Sequence, residues 1–135
     1  MVITVETTIN ASLDFIWRSL ITPDDVTHWN FASEDWCCPH ASSHLQVGGR
    51  FNYRMEAKDG SEGFDFEGEF IYIEENKQID YKMDDDRQVS IRFVETSQGV
   101  RVIETFDAEK VNPVELQQQG WQAILNNFKH YVESK

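Results

Sequence analysis

The sequence predicts an α+β fold in which a curved antiparallel sheet of about six strands wraps around one long C-terminal helix. Three observations carry that prediction. In the last stretch, Pro113 to Ser134, the residues Leu116, Trp121, Ile124, Leu125, Phe128 and Val132 recur at spacings of three, four and five, which makes one helical face apolar. Between Val47 and Phe106, short alternating runs are separated by turn residues, as in an antiparallel meander. The element order is strand, two helices, five strands, long helix, with no internal repeat, low-complexity run or linker. Residues 1–135 are therefore read as one domain.

Each element has a local reason. Ile3, Val5 and Ile9 alternate with Thr4, Glu6 and Thr8, so residues 2–9 form a half-buried strand. Ser12 is placed to cap a helix over Leu13–Leu20, with Asp14 favourable in its first turn. Thr22-Pro23-Asp24-Asp25 restarts a second short helix, with Thr22 as cap and Pro23 at the first position, running to about Trp29. Two short helices joined so tightly make an elbow. Residues 30–46 show no period, and a stretch of that length inside a compact domain is often functional or mobile.

The meander then begins. Phe51, Tyr53 and Met55 alternate with Asn52, Arg54 and Glu56, and Lys58-Asp59-Gly60 turns the chain. Phe64, Phe66 and Phe70 alternate with Asp65, Glu67 and Glu69, with Gly68 marking a bend or bulge. Glu74-Glu75-Asn76, Asp84-Asp85-Asp86 and Ser97-Gln98-Gly99 are the later turns, around strands bearing Ile79 and Tyr81, Val89, Ile91 and Phe93, and Val100 to Phe106. Asn112 can cap the long helix and Pro113 suits its first turn. Burying five large side chains on its apolar face would contribute about 10 kcal/mol before entropy, an upper figure. A lone helix of about four to five turns cannot collect that energy and needs a broad apolar surface to lie on.

Composition bounds the function. Of the 135 residues, 40% are hydrophobic and 13% aromatic, enough for a real core. Twelve basic residues against 24 acidic ones give a formal charge of −12. Nucleic acid and anionic membrane surfaces would repel such a chain, since binding them rests on cationic groups. No apolar run reaches the roughly 20 residues that span a bilayer, and the N-terminus carries no secretion-signal pattern. Cys37 and Cys38 are adjacent, where a disulfide is strained, so a reducing cytoplasm is the expected compartment.

At this point the residues resemble a known family. Phe15-Ile16-Trp17-Arg18, Thr22-Pro23-Asp24 and His28-Trp29 come first in that likeness. Leu45 to Phe51, Arg54 to Gly60, Phe64 to Gly68, Glu104-Thr105-Phe106, and Gly120-Trp121 with Ile124-Leu125 follow in order. The chain as a whole is similar to the START-like helix-grip superfamily (SRPBCC). Within it, the likeness is to proteins related to the C-terminal domain of the activator of the 90-kilodalton heat-shock chaperone ATPase (AHSA-type). The resemblance implies a curved sheet gripping the C-terminal helix, with an apolar cavity between them partly closed by the two short helices. It does not select an activity, because this superfamily includes lipid carriers, polyketide cyclases, resistance proteins and chaperone partners.

The chemical motifs are weighed against structural roles. Cys37, Cys38, His40 and His44 have ligand-like spacing, but no second Cys/His cluster completes a closed site, so no metal is expected. A Cys–His nucleophile would need a lowered thiol pKa and an orienting third group, and neither is visible. Asp65, Glu67 and Glu69 belong on a solvated strand face, and Asp84-Asp85-Asp86 lacks the glycine and distal glutamate of a calcium loop. Gly48-Gly49 leads into a strand, so it is read as unusual backbone or close approach and not as a phosphate cradle. Gly120, costly inside a helix, is read as a close-packing site, with room for a ligand as the alternative. No catalytic residue and no cofactor is assigned.

The rings are the informative feature. Trp29, Trp36, Phe51, Tyr53, Phe64, Phe66, Phe70, Tyr81, Phe93 and Trp121, with Met55 and Leu125, are hard to pack between one helix and a curved sheet without voids. They are the candidate lining of a pocket for a small hydrophobic or aromatic ligand, lipid-like or polyketide-like. Tyr53, Tyr81, Arg54 and Asn30 are the candidate polar contacts, with access past residues 30–46 and the elbow. Two other classes remain open. One is a protein-interaction module modulating a heat-shock chaperone ATPase, against which 135 residues leave no room for the additional N-terminal domain of such activators. The other is a cyclase- or hydrolase-type enzyme, for which no triad, metal set or cofactor motif is visible. The expected state is a monomer or weak dimer.

Overall fold

The computed structural model describes residues 1–135. Strand β1 (Val2–Ile9) is followed by helices α1 (Leu13–Ile21) and α2 (Pro23–Val26). Strands β2 (Trp36–Ser43), β3 (Arg50–Ala57), β4 (Gly63–Glu74), β5 (Gln78–Met83), β6 (Gln88–Thr96) and β7 (Gly99–Asp107) come next, then helix α3 (Val114–Glu133). The strands form one antiparallel sheet in the order β1-β7-β6-β5-β4-β3-β2, so β1 and β2 are its edges. The sheet curls around α3, and α1 and α2 form an elbow over one end of the helix.

The sheet has seven strands, not six. The additional one, β2, lies within the stretch expected to lack regular structure. Its sequence, WCCPHASS, hides the alternation because Pro39 cannot donate a ladder hydrogen bond. An edge strand tolerates that loss, and the β2–β3 register shifts between Cys37 and His40, around the proline.

The capping expectations divide. Ser12 Oγ accepts from the Phe15 N–H and caps α1 as expected. Thr22 makes no side-chain cap, and α2 stops at Val26. Asn112 is not the cap of α3, because the helix starts one residue later, after Pro113, with no side-chain cap. The buried Gln117 instead reaches back and ties down the preceding loop. Its Oε1 accepts from the Glu109 N–H at 2.9 Å, and its Nε2 donates to the Glu109 and Asn112 carbonyls at 3.1 and 2.8 Å.

Glycines shape the sheet where it must bend. Gly48 sits at φ +88°, and a Cβ on Gly49 would stand 2.0 Å from the His44 carbonyl oxygen, so only glycine fits. A Cβ on Gly68 would lie 2.6 Å from the Lys82 carbonyl oxygen, which brings β4 close to β5. The register irregularity itself falls just beyond, between Phe70 and Tyr72.

Candidate functional site: a cavity between the sheet and the long helix

Inward-facing side chains of the sheet do not meet α3 along its whole length. Toward the N-terminal half of the helix they leave a cavity of about 420 Å³, within the size range of small-molecule sites. Twenty of its 27 lining residues are hydrophobic, which sets its preference for apolar guests. Leu45, Phe64 and Leu116 line the cavity yet are more than a third exposed, so they mark its mouth.

Ten of the twelve candidate lining residues come together here. Phe51, Tyr53 and Met55 project from β3, and Phe64, Phe66 and Phe70 from β4. Tyr81 comes from β5, Trp29 from the turn after α2, and Trp121 and Leu125 from α3. The other two lie elsewhere. Phe93 has the expected inward register, but α1 covers that part of the sheet and Trp17 meets its ring edge-on at 5.5 Å. Trp36 sits on edge strand β2 and packs against Phe64 at 6.0 Å, beside the mouth.

The rings form a connected wall. Phe51 contacts Tyr53, Phe66, Phe70 and Tyr81 at centroid distances of 4.8 to 5.9 Å. Trp121 stacks on Phe106 at 3.9 Å and meets Phe66 edge-on at 6.0 Å. Such contacts hold the rings in place without filling the space between them. Gly120 is part of the reason. The close packing expected of it is absent, since a Cβ there would meet nothing within 4 Å, and Gly120 borders the cavity.

The polar groups inside are few, and one was missed from the sequence. Val100, Val102, Glu104 and Phe106 are the inward set of β7, so Glu104 stands where an apolar side chain is expected. Its accessible surface faces the cavity, and desolvation alone pushes its carboxyl up to about 8. Burial likewise raises the Tyr53 phenol. It raises Tyr81 as well, with the Glu104 charge adding to the effect and Arg87 opposing it. No protein hydrogen bond contributes to any of these three shifts, yet no buried polar atom is sealed off without a partner. These groups are therefore open to whatever occupies the cavity.

Of the other polar candidates, Asn30 lines the cavity and its Nδ2 contacts Met55 Sδ at 3.3 Å. Arg54 lies on the outer face, paired with Glu56 at 2.9 Å and Asp65 at 3.5 Å. Asp65, Glu67 and Glu69 are outward, as their alternation predicts. Cys37, Cys38, His40 and His44 do not converge. Cys38 is buried with Sγ donating to the His40 carbonyl, both histidines are exposed, and no three His, Cys, Asp or Glu side chains are grouped to hold an ion.

A curled antiparallel sheet gripping a C-terminal helix, with an aromatic-lined hollow between them, defines a protein of the START-like helix-grip class. Comparison with known proteins narrows this. The family described as Activator of Hsp90 ATPase homolog 1-like protein matches residues 10–133, and the chain belongs to that family. The AHSA1-like protein from Aeromonas hydrophila, solved in solution, is 44% identical with a TM-score of 0.93, over 99% of this chain and 93% of that one. A protein from Cytophaga hutchinsonii is also 44% identical, with a TM-score of 0.85 over 98% and 92% of the two chains. A Nitrosomonas europaea protein shares the fold at 16% identity, with a TM-score of 0.84 over 99% and 95%. A search of curated proteins finds no match. No helix is long and apolar enough to cross a membrane.

Proposed function

We propose that this protein binds a small hydrophobic or aromatic molecule in the cavity between the sheet and α3. The observation that carries the reading is a hollow of about 420 Å³ walled by rings where a domain of this kind would otherwise be close-packed. The guest displaces water from apolar walls and is oriented by few polar groups, Tyr53, Tyr81, Glu104 and Asn30. It enters past Leu45, Phe64 and Leu116. No chemical step is required. A free, reduced Cys37 and Cys38 suit work in the cytoplasm, as a monomer or weak dimer.

The test is a thermal-shift and NMR screen of lipids, flavonoids and polyketides, read at the indole N–H signals of Trp29 and Trp121. A ligand at 100-fold its Kd raises stability by about 2.7 kcal/mol. A screen that moves neither indole and no other cavity ring rules the reading out.

Family membership favours a second reading, in which the domain modulates a 90-kilodalton heat-shock chaperone ATPase by direct contact. A pull-down and an ATPase assay with that chaperone decide it, and a null result in both removes it.

A further inference from the structure

Glu104 gives the cavity a chemical sign. Its neighbours across the sheet, Val5 on β1 and Ile91 on β6, are apolar, and so are Val102 and Phe106 on its own strand. No cation offsets its burial, since desolvation is the only cause of its shift. Arg87, on the turn between β5 and β6, borders the same space but donates from Nε to Asp85 at 2.7 Å. Around the acid stand ring faces and edges: Phe106 stacked on Trp121, Trp121 against Phe66, and Phe66 against Tyr81 at 6.1 Å.

We propose that the guest is a lipophilic amine, whose protonated nitrogen meets the Glu104 carboxylate inside the aromatic wall while its apolar body fills the hollow. The inference rests on the ligand-binding reading above and names the class of ligand. Carboxylate and rings attract a cation together, since ring faces carry negative charge density. An anionic lipid is disfavoured, because burial beside Glu104 penalises its charge as it penalises the Glu104 carboxylate, and Arg87, the cation bordering this space, already donates to Asp85. The net charge of −12 draws cations toward the mouth from solution.

A proton is released on binding. In the free site burial keeps the Glu104 carboxyl protonated up to about pH 8. A bound ammonium favours the carboxylate, so the carboxyl proton leaves to solvent as the ion pair forms. Below about pH 8, affinity for an amine therefore climbs with pH by up to about tenfold per unit, and it levels off above. The other titratable groups facing this space are Tyr81 on β5 and Tyr53 on β3, both held neutral by burial. Arg87 and Glu109 complete the set, since β1, β6, α1 and α3 contribute none.

Three probes with one body separate the possibilities: 2-naphthylmethylamine, 2-naphthylmethanol and 2-naphthoate, titrated calorimetrically from about pH 6 to 8. The amine should bind at least about tenfold tighter than the alcohol at the upper pH, and the naphthoate weakest. Only the amine should gain affinity with pH. Glu104→Gln should erase the amine's advantage and its pH dependence while the alcohol's Kd stays within about twofold. Glu104→Leu serves as a second variant, with NMR dispersion confirming that each is folded. Naphthoate binding as tightly as the amine overturns the proposal, as does an amine preference that survives in both variants. If only the alcohol binds, the cavity reading stands and the amine is wrong. If no probe binds, both fall.

Discussion

Along the C-terminal half of α3, Leu125, Phe128 and Val132 are buried, the first two where the cavity ends, and Trp29 packs on Phe128 at 4.7 Å. Along the N-terminal half of the same helix, Leu116, Gly120, Trp121 and Ile124 border open space. The apolar stripe is continuous across both halves, so its pattern does not distinguish them. What differs is the cover. The elbow lies over the C-terminal half and is pinned there, with Asn127 Nδ2 donating to the Trp29 carbonyl at 2.9 Å and the Tyr131 hydroxyl donating to Asp25. Glu133 accepts from the Asn10 N–H at 2.9 Å, fastening the same end to the segment after β1. The other half faces β3, β4 and β5, whose rings lean on one another. A helical stripe reports that a face is dry; it does not report that the space is full.

The largest expected effect tests that contrast directly. Phe128→Ala removes a fully buried ring packed on Trp29 and should cost about 3–5 kcal/mol in urea denaturation. Trp121→Ala removes a larger side chain but one that already faces a void, and it should cost only about 2 kcal/mol. It should also weaken ligand binding far more than stability. Equal losses would mean that the two halves are packed alike.

Glu104 sharpens the comparison through pH, since nothing like it occurs in the C-terminal half. The folded protein holds this proton up to about pH 8, while the unfolded chain releases it near its ordinary value of 4.5. Below about pH 4.5 both states are protonated and burial of this side chain carries no ionisation penalty. Between the two values the unfolded chain alone ionises, so stability falls as pH rises, by at most about 1.4 kcal/mol per unit. Above about 8 the penalty is constant. Glu104→Gln has no proton to lose and should gain on the wild type across that window. Its advantage should reach about 3 kcal/mol by pH 8, less than the full interval gives because the cavity opens to solvent. Denaturation curves at three pH values check this, and wild-type and variant stabilities that run parallel would place the carboxyl in water.

The sequence showed one of these halves better than the other. Period-two alternation gave the inward face of β3 and β4, so Phe51, Tyr53, Met55, Phe64, Phe66 and Phe70 were legible as a group. What lies above a face is a tertiary fact, and for that reason Phe93 was misplaced: α1 brings Trp17 down onto it. Strand β2 was hidden by Pro39, which breaks the pattern of an interior strand but not of an edge. Glu104 was within reach. Counting by twos from Val100 puts it inward, yet an acid in a strand is ordinarily read as surface, and its burial depends on a cavity the count does not reveal.

The smallest effect concerns Gly120 and is the most discriminating about empty space. Close packing would make any side chain there destabilising. In the open arrangement Gly120→Ala meets nothing within 4 Å and loses only the helix penalty of glycine, so the variant should be more stable by about 1 kcal/mol. A Leu at the same position projects further into the hollow. Gly120→Leu should stay folded with stability near that of the wild type while blocking the ligand, because its extra carbons occupy volume the guest needs. Thermal melts of the two variants, paired with a titration of any ligand found in the screen, give the answer. A destabilised Gly120→Ala would mean that the helix rests on the sheet at this point and that the cavity ends short of it.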